Sequence, residues 1–113
     1  MSKSKAKGTA WETEVVKYLQ QRGHKLAERR ALSGKLDKGD IAGLRETVIE
    51  CKAVQEFDLA GFQRELLAEM DNAGAALGAV FLKRPRNAVQ DGYAIMPIWL
   101  WLTLWEAWDE CNC

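Results

Sequence analysis

The 113-residue chain has no apolar run long enough to cross a membrane. Its longest, Ala94 to Trp105, covers 12 residues and is interrupted by Pro97 and Thr103, whereas a spanning helix needs about 20. The opening Met1-Ser2-Lys3-Ser4-Lys5-Ala6-Lys7 is basic with no apolar core behind it, unlike a secretory signal. These absences predict a cytoplasmic protein. Cysteine is sparse: three residues make no even framework, and Cys111-Asn112-Cys113 falls short of the about four ligands that zinc requires. Reduced thiols without a shared role are expected. The single histidine, His24, follows a predicted helix end and is read as structural rather than metal-ligating. No internal repeat or linker divides the chain. Residues 1–7 are expected to form a basic, flexible tail and residues 8–113 a single domain. A chain of this size buries roughly two-thirds of its unfolded surface, so it can be stable alone with little margin.

Net charge is also absent, with 16 basic and 16 acidic residues, but the balance is uneven along the chain. Residues 1–38 hold ten Lys/Arg against four acids, and residues 39–113 hold six against twelve. A strongly basic first third points to a polyanion-binding face. A solvated surface with a lysine tail is the alternative origin of the same pattern.

What is present is 48% apolar and 28% charged, the composition of a globular protein. Residues 8 to about 22 predict an amphipathic helix, with Thr9 as N-cap and Glu12 completing a capping box. At about 100° per residue, Trp11, Val15, Val16, Tyr18 and Leu19 share one arc. Glu12 projects within that arc, whereas Glu14 falls just outside it and is expected to be solvated. Gly23 is read as the helix stop. A short strand is expected over 24–32, then a polar loop over 33–39. Strands over 40–44 and 47–53 are joined at Arg45-Glu46 as a hairpin. A helix follows over 59–73, then strands over 77–82 and 93–98, and a closing helix over 99–110. This order, α-β-β-β-α-β-β-α, predicts an α/β fold with a mixed sheet flanked by helices.

The chemistry-bearing stretch is Lys38-Gly39-Asp40-Ile41-Ala42-Gly43, followed by Glu50-Cys51-Lys52. Residues two apart in a strand share a face, so Glu50 and Lys52 project together and Cys51 points away. A hairpin turning at 44–47 brings Asp40 alongside positions 50 and 51. Asp40 and Glu50 can then hold one magnesium ion, which usually takes one or two carboxylates and keeps several waters. The Cys51 backbone carbonyl is a further candidate ligand, and Glu12 can act through a water on the metal. Lys52 would orient or deprotonate the attacking water, or stabilise the transition state. Buried charges need partners, so a buried ion-pair network is the structural alternative.

Lys7-Gly8-x-x-x-Glu12, Ser33-Gly34, Gly39-Asp40-Ile41 and Glu50-x-Lys52 resemble the PD-(D/E)XK nuclease superfamily. Within it they look most like small Holliday junction resolvases of the archaeal type and their phage-encoded relatives. The resemblance covers most of the first 85 residues. It implies a restriction-endonuclease-like mixed sheet and a magnesium-dependent structure-specific DNA endonuclease, with manganese able to substitute. It further implies a role in DNA recombination and repair, a branched DNA substrate, a homodimer, and host cytoplasm if the chain is phage-encoded. Glu12, Asp40 and Glu50 then correspond to metal-site acids, Lys52 to the catalytic lysine, Ser33 to an active-site serine and Arg30 to a DNA-contacting arginine. Gly39 stands where the motif has proline, and the 33–40 loop is longer than in the archaeal enzymes. Gln63 is followed by Leu67 rather than by the tyrosine of a RecB-type Gln-x-x-x-Tyr. Other PD-(D/E)XK nucleases acting on ends, flaps or single strands, or a non-catalytic DNA-binding protein of this fold, are the alternative readings.

Lys3, Lys5, Lys7, Arg29, Arg30, Lys35 and Lys38 are candidate phosphate contacts. Lys83-Arg84-Pro85-Arg86 forms a second basic cluster. Four of the five tryptophans lie in the last 15 residues, and Trp101, Trp105 and Trp108 make one helical stripe. Such a stripe is either core or a self-complementary dimer face.

Overall fold

The computed structural model describes residues 3–31, 34 and 36–111. Helix α1 runs Lys3–Gln21 and is followed by strands β1 (Glu28–Arg29), β2 (Ile41–Ala42) and β3 (Thr47–Lys52). Helix α2 (Leu59–Ala73) leads to β4 (Leu77–Leu82), a short 3-10 turn (Val89–Asp91), β5 (Tyr93–Ile95) and helix α3 (Ile98–Cys111). The five strands form one mixed sheet in the order β1-β2-β3-β4-β5. Only the β3–β4 pair is parallel. That pair needs a crossover, and α2 supplies it. Among the described residues no helix is long and apolar enough to cross a membrane.

Strand alternation divides the core in two. Ile49 and Cys51 of β3, with Ile41, pack against Trp11, Val15 and Leu19 of α1. Val48 of β3, with Val80 of β4, packs against Phe62, Leu66 and Met70 of α2 and Leu100 of α3. The indole of Trp11 also donates to the Phe81 carbonyl at 2.9 Å, which pins α1 to the sheet. Helix α2 has a complete start and stop. Asp58 accepts from the Gly61 amide at its N-cap, and Gly74 closes it in the left-handed conformation.

Four local expectations change, one of them the strand expected over 93–98, which stops at Ile95 ahead of Pro97. Helix α1 begins at Lys3, so residues 3–7 are helical rather than tail, and Thr9 lies inside the helix. Lysine and alanine favour helix and extend it upstream, and Thr13 bonds back to the Thr9 carbonyl at 2.9 Å. The strand expected over 24–32 shrinks to Glu28–Arg29, because residues 24–26 turn and Leu26 stands exposed. Strand β2 keeps two residues, because the chain turns at Gly43. A β-carbon there would lie 1.9 Å from the Leu26 carbonyl oxygen, at φ +97°. Only glycine fits this crossing of two backbones.

Helix α3 departs most from a globular core. Leu100 is buried, but Trp99, Trp101, Trp105 and Trp108 remain 54%, 54%, 44% and 61% exposed. The tryptophan stripe therefore does not fill the core of this chain.

Candidate active site

Position 39 sets the approach to the site. Gly39 has φ +95°, where a proline, fixed near −65°, cannot stand. Its amide also donates to Asp37 Oδ1 at 2.9 Å, a bond that proline lacks. The following residue, Asp40, crosses the end of the sheet. Its amide bonds the Ile49 carbonyl at 2.9 Å and its carbonyl accepts from Arg30 at 2.8 Å. The side chain turns to β3, where Oδ2 accepts the Cys51 amide at 2.8 Å. Asp40 thus stands beside positions 50 and 51, with Ile41 opposite Ile49 in the antiparallel register.

Glu12 reaches this region from α1, on the opposite side of the sheet from Glu50. Its carboxylate accepts from Arg29 Nε at 3.2 Å and is less exposed than that of Glu14. Glu14 instead pairs with Lys83 at 3.7 Å. Burial raises the Glu12 carboxyl above its ordinary range, the Asp40 charge raises it further, and Arg29 opposes both. Asp40 is raised in the same way, by burial first and by Asp37, while the Cys51 amide, Lys52 and Arg29 pull it down. Burial also pushes the Cys51 thiol up, so it is no nucleophile at neutral pH.

Glu50 and Lys52 point to the α2 side. Lys52 Nζ lies 3.9 Å from Glu50 Oε1 and 2.8 Å from Glu65 Oε2, with its ammonium 5.2 Å from the centre of the Phe62 ring. Glu50 is 7% exposed, and its Oε2 has no hydrogen-bond partner among the described residues. Behind it stands Glu69 of α2, 3% exposed, with neither carboxylate oxygen partnered among the described residues. Burial, then the Asp37 and Asp40 charges, push the Glu69 carboxyl up to about 8. Asp37, Glu50 and Glu69 bring one carboxylate oxygen each within 4.8 Å of one another.

The acids converge differently from the sequence expectation. Of Glu12, Asp40 and Glu50, only Glu50 belongs to the close carboxylate group. The alternation of β3 sends Glu50 toward α2, whereas Glu12 approaches from α1. Asp40 gives one oxygen, Oδ2, to the Cys51 amide, so position 51 turns its N–H rather than its backbone carbonyl to Asp40. Asp37, Glu65 and Glu69 were missed. Glu69 had a signal in the sequence: it sits on the α2 stripe with Phe62, Leu66 and Met70, the same kind of inward placement that marks Glu12.

Beside the acids lies a cleft of about 480 Å³ whose walls include Glu12, Asp37 and Asp40. Arg29, Arg30 and Lys38, together with Lys5, line the same cleft. Lys7 stands apart, on a smaller groove with Lys83. Ser33 and Lys35 lie outside the described residues. The Arg30 Nε is buried without a hydrogen-bond partner among the described residues.

No family model matches the chain, and neither the curated proteins nor the solved structures contain one significantly similar to it.

Proposed function

We propose that this protein is a magnesium-dependent endonuclease that hydrolyses phosphodiester bonds in branched DNA, a Holliday junction resolvase by preference. The observation that carries the reading is the Glu50–Lys52 pair on one strand face, with Asp40 anchored at the neighbouring strand. Glu50 turns Oε1 to that lysine, and its Oε2 is buried without a donor among the described residues. Carboxylate oxygens are the hard donors that magnesium and manganese take, so the residues fit such an ion. Glu50 would hold it, with its acidic neighbours. When bound, the ion supplies water activation and charge neutralisation at the phosphate.

The remaining work falls to the chain itself. Hydrolysis adds water to phosphorus and breaks a bridging P–O bond, so negative charge grows on the phosphate oxygens. Lys52, steadied by Glu65, presents N–H donors to that charge or to the attacking water. Arg29, Arg30 and Lys38 line the cleft walled by Glu12, Asp37 and Asp40 and suit binding the DNA backbone there. Glu12 holds the Arg29 guanidinium by its Nε, leaving the terminal nitrogens for phosphate. Such a protein would act in the cytoplasm, or the host cytoplasm if phage-encoded.

A second copy of this chain is the partner we propose for α3. A half-exposed tryptophan leaves roughly 100 Å² of apolar surface. The stripe Trp101, Trp105 and Trp108, with Ile98, Leu102 and Leu104 beside it, leaves on the order of 500 Å² on one face, toward the roughly 800 Å² that each partner contributes to a stable interface. Antiparallel pairing would keep the acidic Glu106, Asp109 and Glu110 of the two helices apart and beside the opposing N-termini. Two-fold symmetry suits nicking two equivalent strands of a four-way junction.

The test is incubation with four-way junction, flap, linear duplex and single-stranded DNA, in magnesium, manganese and EDTA. Junction cleavage in magnesium and manganese, absent in EDTA, is the expected result. Cleavage of ends, flaps or single strands alone moves the substrate within the same chemistry. Binding insensitive to EDTA with no product on any substrate refutes the enzymatic reading.

A further inference from the structure

We infer that Asp37, Glu50 and Glu69 form a binding site for one hard divalent cation, with α2 supplying a ligand through Glu69. A cluster of acids alone would not carry this. The decisive feature is Glu69, whose carboxylate is sealed between α2 and the sheet at 3% exposure, with both oxygens unpartnered among the described residues. A buried carboxylate without donors is costly unless something neutralises it. Glu50 directs a second unpartnered oxygen into the interior while its other oxygen faces Lys52.

The spacing matches one ion. Three oxygens within 4.8 Å of one another compare with the roughly 4.2 Å between opposite ligands of magnesium and about 5 Å for calcium. Asp37 is held for the role from two sides. Gly39 donates to its Oδ1 at 2.9 Å, and Asn72 donates to its backbone carbonyl at 2.8 Å. Asn72 lies one turn beyond Glu69, so α2 grips the loop and supplies the buried carboxylate together. A single proton neutralises one of three carboxylates, whereas a divalent ion answers two charges and engages all three groups. The site shares Glu50 with the proposed hydrolytic centre but does not rest on that reading, because binding an ion requires no DNA.

The test uses Mn²⁺ alone, titrated into the full chain and followed by the loss of its free electron-paramagnetic-resonance signal. One site per chain is expected, weakened at least tenfold by Glu69→Gln and by Asp37→Asn. Asp71→Asn, an exposed acid on the same helix, should bind as the unaltered protein does. Mg²⁺ should raise the melting temperature of the unaltered protein and not that of Glu69→Gln. Metal-free Glu69→Gln should melt at or above the unaltered protein. Equal Mn²⁺ binding with and without Glu69, or no binding at millimolar Mn²⁺, overturns the site. So does a Glu69→Gln protein that fails to fold without metal, because Glu69 would then serve a structural contact. Glu69-dependent binding with no cleavage of any DNA leaves this site and removes the nuclease reading. Metal-dependent cleavage with Glu69-independent binding does the reverse.

Discussion

The Asp40 carboxylate accepts the Cys51 amide hydrogen at 2.8 Å, so a loop side chain fills a hydrogen-bonding position on β3. This bond aims Asp40 at the junction of two neighbouring strands, between the Glu12 side and the Glu50 side of the sheet. Both its placement and its raised titration follow from that half-buried position.

Replacing Asp40 separates chemistry from fold. Asp40→Asn keeps an oxygen that can accept from Cys51 but removes the charge. Magnesium-dependent cleavage should fall about 10- to 100-fold while DNA affinity stays within a few fold, the usual cost of removing a carboxylate that supports a metal site. Glu50→Ala should behave likewise. Single-turnover cleavage beside gel-shift binding checks both, and full activity in both variants would remove the site assignment.

Glu69 should leave a mark on stability against pH. Its folded carboxyl titrates at about 8, against about 4.3 in an unfolded chain. Between these values the folded state holds more protons than the unfolded one. Stability in EDTA should therefore fall as pH rises from about 4.3 to about 8, with no further loss from this group above. Glu12 and Asp40 tilt the profile in the same direction, so the difference between the protein and Glu69→Leu isolates the residue. Urea midpoints at pH 5 and 8 should converge in the variant relative to the parent.

The Gly43 crossing admits no side chain. Gly43→Ala places a methyl group against the Leu26 carbonyl at a φ unfavourable to alanine. A loss of about 2–4 kcal/mol is expected from the combined strain and clash. Urea denaturation measures it, and a neutral substitution would contradict the backbone approach of residues 26 and 43.

The proposed pairing through helix α3 is tested by one substitution. Trp105→Glu should convert a dimer to a monomer in sedimentation equilibrium, while leaving the Leu100 contact and the fold intact. An unaltered protein that sediments as a monomer at micromolar concentration would sink the proposed pairing.

Some of this was present in the amino-acid order itself. Helix α2 and strand β4 fall over the residues that the pattern marks, because the Phe62–Leu66–Met70 spacing and the apolar run over 77–82 are local signals. The mixed sheet with helices against it follows from the element order. So does the shared face of Glu50 and Lys52, which strand geometry alone requires. The two-residue lengths of β1 and β2 were not legible, since the Gly43 crossing over Leu26 is a contact between separate turns.

The acids that meet were decided by tertiary structure. Glu50 and Glu69 are 19 residues apart and approach only because α2 crosses back over the face of β3 that carries Val48, Glu50 and Lys52. Asp37 joins them through the grip of Asn72 on its backbone. The exposure of α3 is of the same kind. Its order of residues makes a helix with tryptophan on one stripe, but only packing determines that Leu100 alone is buried. Local patterning sets which way a side chain leaves its own element. What it meets there depends on how distant elements are brought together.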